Sequence, residues 1–432
     1  MRGTDSHSSI IGDRPAYDAV IVGASLAGCA TAIGLGRAGL RVAVVEKQPD
    51  PQAYKRMCSH FIQASGVPAI ERLGLLEPIE AAGGLRPRMH MWTRWGWVEA
   101  PPDRAGRGVN LRREILDPLV RSAAAATPGV ELMLGWSVEA LLREGEGFGG
   151  VVARDKEGAR RELRGRLTVG ADGRDSTVAE LSEVPVKTYP HNRIAYGGYF
   201  EGPPPKHAPD STIWFLDPHW AAVFPTDSNL TFYAAMPTKD RLPEFKRDPE
   251  GALVDFVAGV PEAPPVRDSR AIEPVLGKID MTNRMRKPVA PGLALIGDAA
   301  LATDPLFGVG CGWAFQSAEW LCEAVRPALQ GEESLEQGLE RYRRRHGREL
   351  RGHAFLIHDY ATGRPMSPIE RLMFSAAARD PRAAELLDRM GTRRIRPQQL
   401  MPRLLPRAVA VNARHALTRE SSTIREEATR PM

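Results

Sequence analysis

Short apolar runs alternate with helical periodicity in the first quarter of the chain and with period-two patterning in the middle. Residues 19–22 form a buried strand run, 27–38 a helix rich in small residues, and 42–45 a second apolar strand, with Gly39 where the helix must stop. The pattern predicts a further helix over 67–82 ending at Gly83-Gly84, then strand alternation over 88–100, where Trp92, Trp95 and Trp97 concentrate. A helix over 113–125 and a short β-meander running to 170 follow, with a glycine-rich turn at 145–150. From 187 to 286 the chain reads mainly as strands, including 212–216 and 230–235, with a prolyl interruption at 203–205 and a helix at 250–259. A buried strand returns at 292–298 and a helix at 312–326. The remainder is helical: a charged amphipathic helix over 330–360, then two or three short ones. The expected fold is α/β: a Rossmann-type domain (17–84, 101–180 and 287–330) interleaved with a mixed or antiparallel sheet domain (85–100 and 181–286). A C-terminal helical region (331–432) completes it, and 1–16 read as a flexible tail.

Composition narrows the class. With 432 residues, 43% hydrophobic and 26% charged, the chain has the balance of a soluble globular protein. No run approaches the roughly 20 apolar residues of a membrane span, so stable membrane insertion is not expected. The first sixteen residues lack the apolar core of a secretory leader. Cys29, Cys58, Cys311 and Cys322 have neither the density of a disulfide framework nor metal-ligand spacing, so no metal is expected and a cytoplasmic location is the default. The net charge is +5, and its basic excess over 341–349 and 393–407 reads as solvated helix faces rather than a nucleic-acid surface.

The first chemistry-bearing segment is Gly23-Ala24-Ser25-Leu26-Ala27-Gly28, between the first strand and the first helix. It matches the dinucleotide fingerprint with Ser25 in place of the middle glycine. Gly23 serves the tight turn, Gly28 the close helix packing, and the amides at the start of the helix meet a pyrophosphate. Glu46 ends the second strand, where a carboxylate accepts both hydroxyls of an adenosine ribose and disfavours a 2′-phosphate. The bound dinucleotide is therefore expected to be FAD or NAD.

Three later segments decide between them. Arg113-Glu114-Ile115-Leu116-Asp117 opens a helix. Val169-Gly170-Ala171-Asp172-Gly173 ends a strand in a turn, with Asp175 or Ser176 as the cap of a helix. Leu293 to Ala300 carries Gly297-Asp298, followed by Asp304-Pro305 and Gly308-Val309-Gly310-Cys311-Gly312. Together with the first loop, over roughly 17–330, these resemble the class A flavoprotein monooxygenases of the para-hydroxybenzoate hydroxylase type, within a wider group that includes geranylgeranyl reductases and flavin-dependent halogenases.

That resemblance implies FAD as cofactor, NADPH or NADH as a transient electron donor, and O2 with a small molecule as substrates. Oxygen would pass from a flavin C4a-hydroperoxide to an aromatic or polyketide-like compound. It implies that Gly23, Ser25, Leu26, Ala27, Gly28, Glu46, Lys47, Arg113, Asp172, Asp298, Gly308, Val309, Gly310, Cys311 and Gly312 hold the cofactor. Arg56, Pro305 and Gly310 are the catalytic candidates. The substrate is expected beneath the sheet, with Trp92, Tyr199, Trp214 and Phe224 lining its pocket, while His60 and Cys58 read as structural. A prenyl-type reductase is an alternative, although Cys58 is followed by Ser59 where those enzymes have glycine. The halogenase Trp-x-Trp-x-Ile-Pro signature is absent from 92–98, so halogenation is not expected. A non-catalytic flavin-binding protein is the remaining class. A monomer or homodimer is expected, with the C-terminal helices packed on the FAD domain.

Overall fold

The computed structural model describes residues 16–428, so the tail expected at 1–16 falls, but for Ala16, outside the described residues. Five parallel strands form the central sheet in the order Val130–Leu134, Val42–Glu46, Tyr17–Val22, Arg160–Gly170 and Leu293–Leu295, and Val289–Ala290 adds an antiparallel edge. Val20, Ile21, Ala43, Val44, Leu167 and Leu293 are fully buried. Both faces are covered, and this is why these strands read as continuous apolar runs. Leu26–Arg37 and Gly310–Leu329 cover one face; a hairpin of Ser137–Glu144 and Gly147–Arg154, continuing into Arg160–Gly170, closes the other. The chain runs outward on opposite sides of Tyr17–Val22, so a crevice opens at the carboxyl ends of these strands, where Gly23, Glu46 and Ala171 stand.

The second sheet has the order Arg270–Ala271, Ala195–Glu201, Leu230–Met236, Trp220–Pro225, Ser211–Phe215, Met89–Thr93 and Gly96–Val98, with Leu276–Lys278 also on Ala195–Glu201. From the segment 85–100, Met89–Thr93 and Gly96–Val98 belong to this sheet, and Met89–Thr93 pairs parallel to Ser211–Phe215. One face packs on helices Leu242–Arg247 and Pro249–Ala258. The opposite face, with Ile213, Phe215, Trp220, Phe224 and Phe232, looks toward the first domain and the C-terminal helices.

Several expectations on helices need correction. The helix expected over 67–82 is two short ones, Val67–Arg72 and Leu76–Ala81, because Gly74 turns the chain at φ +60°. After Pro368–Ala377 and Pro381–Gly391, the last helix is long, Pro397–Ala428, and continues through Pro402 and Pro406. Leu400, Leu404 and Ala408 are buried on one stripe of it, so packing overrides the prolines.

Leu335–Tyr360 opens with a Ser334/Gln337 capping box and packs back on the sheet, where the Tyr342 hydroxyl donates to the Leu295 carbonyl at 2.7 Å. It buries His346 and His353, and burial pushes their pKa down to about 4 and about 2. The unfolded chain takes up these protons below about pH 6.5 while the folded one does not, so stability is complete above that pH and falls as pH drops toward 4. We expect the melting temperature to fall over this window, with His346 contributing up to ~3 kcal/mol. His346→Gln should flatten the slope of melting temperature against pH, and an unchanged slope would sink the assignment.

Candidate functional site

At the end of the first strand, Gly23 takes φ +104°, and its amide donates to the Val45 carbonyl at 2.8 Å. A Cβ on Gly23 would stand 2.6 Å from the Ala171 carbonyl oxygen, and one on Gly28 only 1.8 Å from the Gly23 oxygen. The loop is therefore folded on itself so tightly that only glycine fits. Ser25 stands at the N-cap of the helix, but its hydroxyl accepts from Arg113 Nη2 at 2.9 Å instead of capping. Serine at the middle fingerprint position thus has a partner that glycine would lack. Glu46 Oε2 accepts from the Ala24 amide at 2.8 Å, and Oε1 from the Gln48 amide at 2.9 Å, which fixes its carboxylate at the mouth of the loop. Lys47, beside it, is exposed.

Arg113 begins the helix Arg113–Ala125 and is buried, as is Asp117 one turn on. The two form a bidentate pair, Nε to Oδ1 at 2.7 Å and Nη2 to Oδ2 at 2.9 Å, and Asp117 also accepts from the Lys55 amide at 3.0 Å. One turn further, Arg121 donates to the carbonyls of Ala24, Pro51 and Ala53. Helix 113–125 therefore ties the glycine loop to the segment after the second strand, and Asp117 and Arg121 are residues that motif reading did not single out.

Arg113 Nη1 also lies 3.7 Å from Cys58 Sγ and 3.6 Å from Cys311 Sγ, and the two sulfurs are 3.7 Å apart. The hydrogen bond shared with Cys311 holds the Cys58 thiol well below its ordinary range, against burial, with help from His60 and Arg113; Cys311 is pushed up by that same bond and by burial. Cys58, expected to be a small buried structural residue, is half-buried and faces a cavity. His60 is structural as expected: its Nδ1 accepts from the Arg113 amide at 2.9 Å, and its ring stacks on Tyr199.

On the far side, Asp298 carries the Lys55 ammonium at 3.5 Å, which raises the pKa of that amine. Asp304 is buried, caps the Leu306 amide at 2.8 Å and meets His191 Nε2 at 2.7 Å, so the Pro305–Phe307 turn is rigidly held. Gln63 donates to the Phe307 carbonyl. Gly308 follows at φ +60°, and the chain enters Gly310–Leu329 with Val309 at the N-cap and Cys311 and Gly312 in the first turn. Built Cβ atoms on Gly310 and Gly312 make only ordinary contacts, to Asp298 Oδ1 at 3.8 Å and to the Gln63 nitrogen at 3.9 Å, so neither position needs glycine for the protein's own packing.

Between this loop and the second sheet lies a cavity of about 280 Å³. Its walls are Pro305 to Gly308, Met57 and Cys58, and the sheet residues Ile213, Ala222, Phe224, Phe232 and Ala234, with Lys55, Arg174 and Lys278 as its cations. Phe224 lies on this wall. Tyr199 is on the same face, stacked under His60. Trp92 and Trp214 do not belong to it: they pair across neighbouring strands and pack on the helix-covered face, where the Trp214 indole donates to the Pro261 carbonyl at 2.8 Å. Alternation along Ser211–Phe215 puts Ile213 and Phe215 on the cavity side instead. Arg56 and Lys55 are both exposed, and it is Lys55 that reaches Asp298. Asp172 is turned away toward the helix Thr177–Leu181, accepting from the Ser176 hydroxyl and the Val178 amide; Ser176 is the N-cap. Among the described residues no cluster of three or more His, Cys, Asp or Glu fits a metal ion.

The arrangement fits a flavin dinucleotide. Helix-start amides offer positive charge for a pyrophosphate, Glu46 a carboxylate for a ribose diol, Asp298 an acceptor for ribityl hydroxyls, and Gly310 and Gly312 backbone without side chains beside a flat ring. Residues 16–353 match the model of the FAD binding domain family. The chain belongs to that family and is an FAD-dependent oxidoreductase.

Among its relatives, the digeranylgeranylglycerophospholipid reductase 1 of Methanopyrus kandleri is 26% identical over 78% of this chain and 87% of its own. The kynurenine 3-monooxygenase of Salinispora tropica is 28% identical over 71% and 72%. The solved structure of the flavin-dependent brominase Bmp2 covers 94% of this chain and 99% of its own with a TM-score of 0.74 at 20% identity, a likeness of fold. Among the described residues no helix is long and apolar enough to cross a membrane.

Proposed function

We propose that this protein is a monooxygenase that draws electrons from NADPH or NADH and places one oxygen atom of O2 on an aromatic or polyketide-like small molecule. The observation that carries this reading is the apolar cavity of about 280 Å³ set against the Pro305–Gly308 turn. Such a pocket excludes water from a reacting flavin and accepts a flat organic molecule beside it. Bound FAD supplies hydride acceptance and oxygen activation. The chain's own part is to hold that group: the glycine loop, braced at Ser25 by Arg113, for the diphosphate, Glu46 for the ribose, and Asp298 and the 308–312 amides for the flavin side. Positive charge and helix-start amides near 310–312 favour the negative charge a flavin gains on reduction. Phe224, Ile213 and Phe232 form the wall for the substrate.

Anaerobic mixing of the FAD-loaded protein with NADPH or NADH, in the presence of a panel of phenolic and polyketide acceptors, should bleach the flavin absorbance. Readmitting 18O2 should leave one labelled oxygen in the product. Bleaching by dithionite but by neither nucleotide with any acceptor would refute the reading. A second reading, reduction of a carbon–carbon double bond, is favoured by the Cys58 thiol on the cavity wall. It predicts saturated product and no label from 18O2.

A further inference from the structure

A larger cavity, about 700 Å³, lies between the same face of the sheet and the C-terminal helices. Phe61, Met89, Ile213 and Phe307 line both it and the smaller pocket, so the two are adjoining chambers. Its walls are chiefly apolar, with Phe215, Trp220, Met373, Phe374 and Leu400 among them, and it reaches the surface beside Phe355 and Ile369, which are 67% and 49% exposed. Protein interiors are otherwise packed without voids of this size, so an apolar chamber here is a space kept for a ligand.

The charges on its walls are mostly spoken for. Arg364 holds Asp359 and Glu370, and Asp388 is held by Arg394 at 2.6 Å. Arg393 is different. It follows the helix Pro381–Gly391 in a left-handed turn at φ +62°, and its guanidinium lies 4.8 Å over the Phe307 ring, at the junction of the two chambers. Its Nη1 donates to the Met390 carbonyl at 2.9 Å, its Nε is buried without a hydrogen-bond partner, and among the described residues no carboxylate pairs with it. Burial lowers its pKa and no opposite charge raises it back. Neighbouring His353 is buried with its Nδ1 also unpartnered. Arg393 as a whole is half-buried and also borders a small polar pocket with Glu349 and Gln399, and its buried Nε is left free to meet an anion that a ligand brings.

We infer that the chamber under the C-terminal helices is a binding site for an apolar carboxylate, whose carboxylate pairs with Arg393 at the junction and whose hydrocarbon body fills the chamber.

The test is calorimetric titration of the FAD-loaded protein with dodecanoate and with 1-dodecanol below their aggregation limits, which needs no turnover. Dodecanoate should bind at least about tenfold more tightly than the alcohol. Arg393→Met should remove that preference while leaving the affinity for the alcohol within about threefold, since the apolar chamber is intact. Met373→Trp, which fills the chamber, should weaken both ligands at unchanged FAD content. Equal affinity for acid and alcohol in the unaltered protein overturns the inference even if Arg393→Met fails to fold, and so does an acid preference that survives in Arg393→Met. Dodecanoate binding with no bleaching by NADPH or NADH across the whole acceptor panel would sink the monooxygenase reading and leave this one standing.

Discussion

Replacing Asp117 by alanine is expected to lower the stability of the protein by about 3–5 kcal/mol. Asp117 and Arg113 are 2% and 3% exposed and share two hydrogen bonds of 2.7 and 2.9 Å. Removing the carboxylate strands a buried guanidinium whose remaining side-chain contacts are the Ser25 hydroxyl and two sulfurs at 3.6–3.7 Å. It also frees the Lys55 amide, and with it the loop that carries Lys55 to Asp298. The loss should therefore show twice: in urea unfolding of the apoprotein, and as weaker FAD binding by fluorescence titration. Asp117→Asn should fall between, because its amide still accepts one of the two hydrogen bonds but carries no charge. A loss below about 1 kcal/mol for Asp117→Ala would mean that water reaches Arg113 and that the pair is not the clamp it looks to be.

The strand–loop–helix of 17–46 was legible because its information is local. Period, glycine positions and a terminal carboxylate lie within thirty residues, and the structure keeps each: Tyr17–Val22, Leu26–Arg37, Val42–Glu46. Asp117 was within reach of the same reasoning, since i and i+4 share a helix face, but Arg113 alone drew the eye. Trp92 and Trp214 failed for a different reason. Alternation sorts a strand into two faces without saying which one is covered by helices, and here large aromatics pack under Pro249–Ala258 while Ile213 and Phe224 face the cavity. Arg56 and Lys55 illustrate irregular backbone, where a shift of one residue decides which side chain reaches the site and no period announces it. Arg393 lay wholly beyond sequence reading: its partner ring, Phe307, belongs to the Pro305–Phe307 turn and meets it only through tertiary packing.

Gly28→Ala should abolish practical FAD binding, weakening it by at least about 100-fold, the ~3 kcal/mol that forced overpacking costs. The new Cβ would stand 1.8 Å from the Gly23 carbonyl oxygen and 3.3 Å from the Ala171 side chain, and the first contact is backbone that no rotamer relieves. Either the helix Leu26–Arg37 backs away from the loop or the loop opens, and both displace the amides that face a diphosphate. Because the contact is internal to the fold, the apoprotein should lose melting temperature as well. Gly312→Ala supplies the opposite sign. Its Cβ meets only ordinary contacts at 3.9 and 4.0 Å, and alanine in the helix Gly310–Leu329 should stabilise the apoprotein by about 0.5–1 kcal/mol. If the bare backbone at 312 exists for the flavin, that same variant binds FAD more weakly while melting higher. Thermal unfolding of the apoprotein beside FAD titration reads both signs at once. An unchanged FAD affinity for Gly312→Ala would show that the flavin does not approach this turn, and retained affinity in Gly28→Ala would show that the first loop does not hold the dinucleotide.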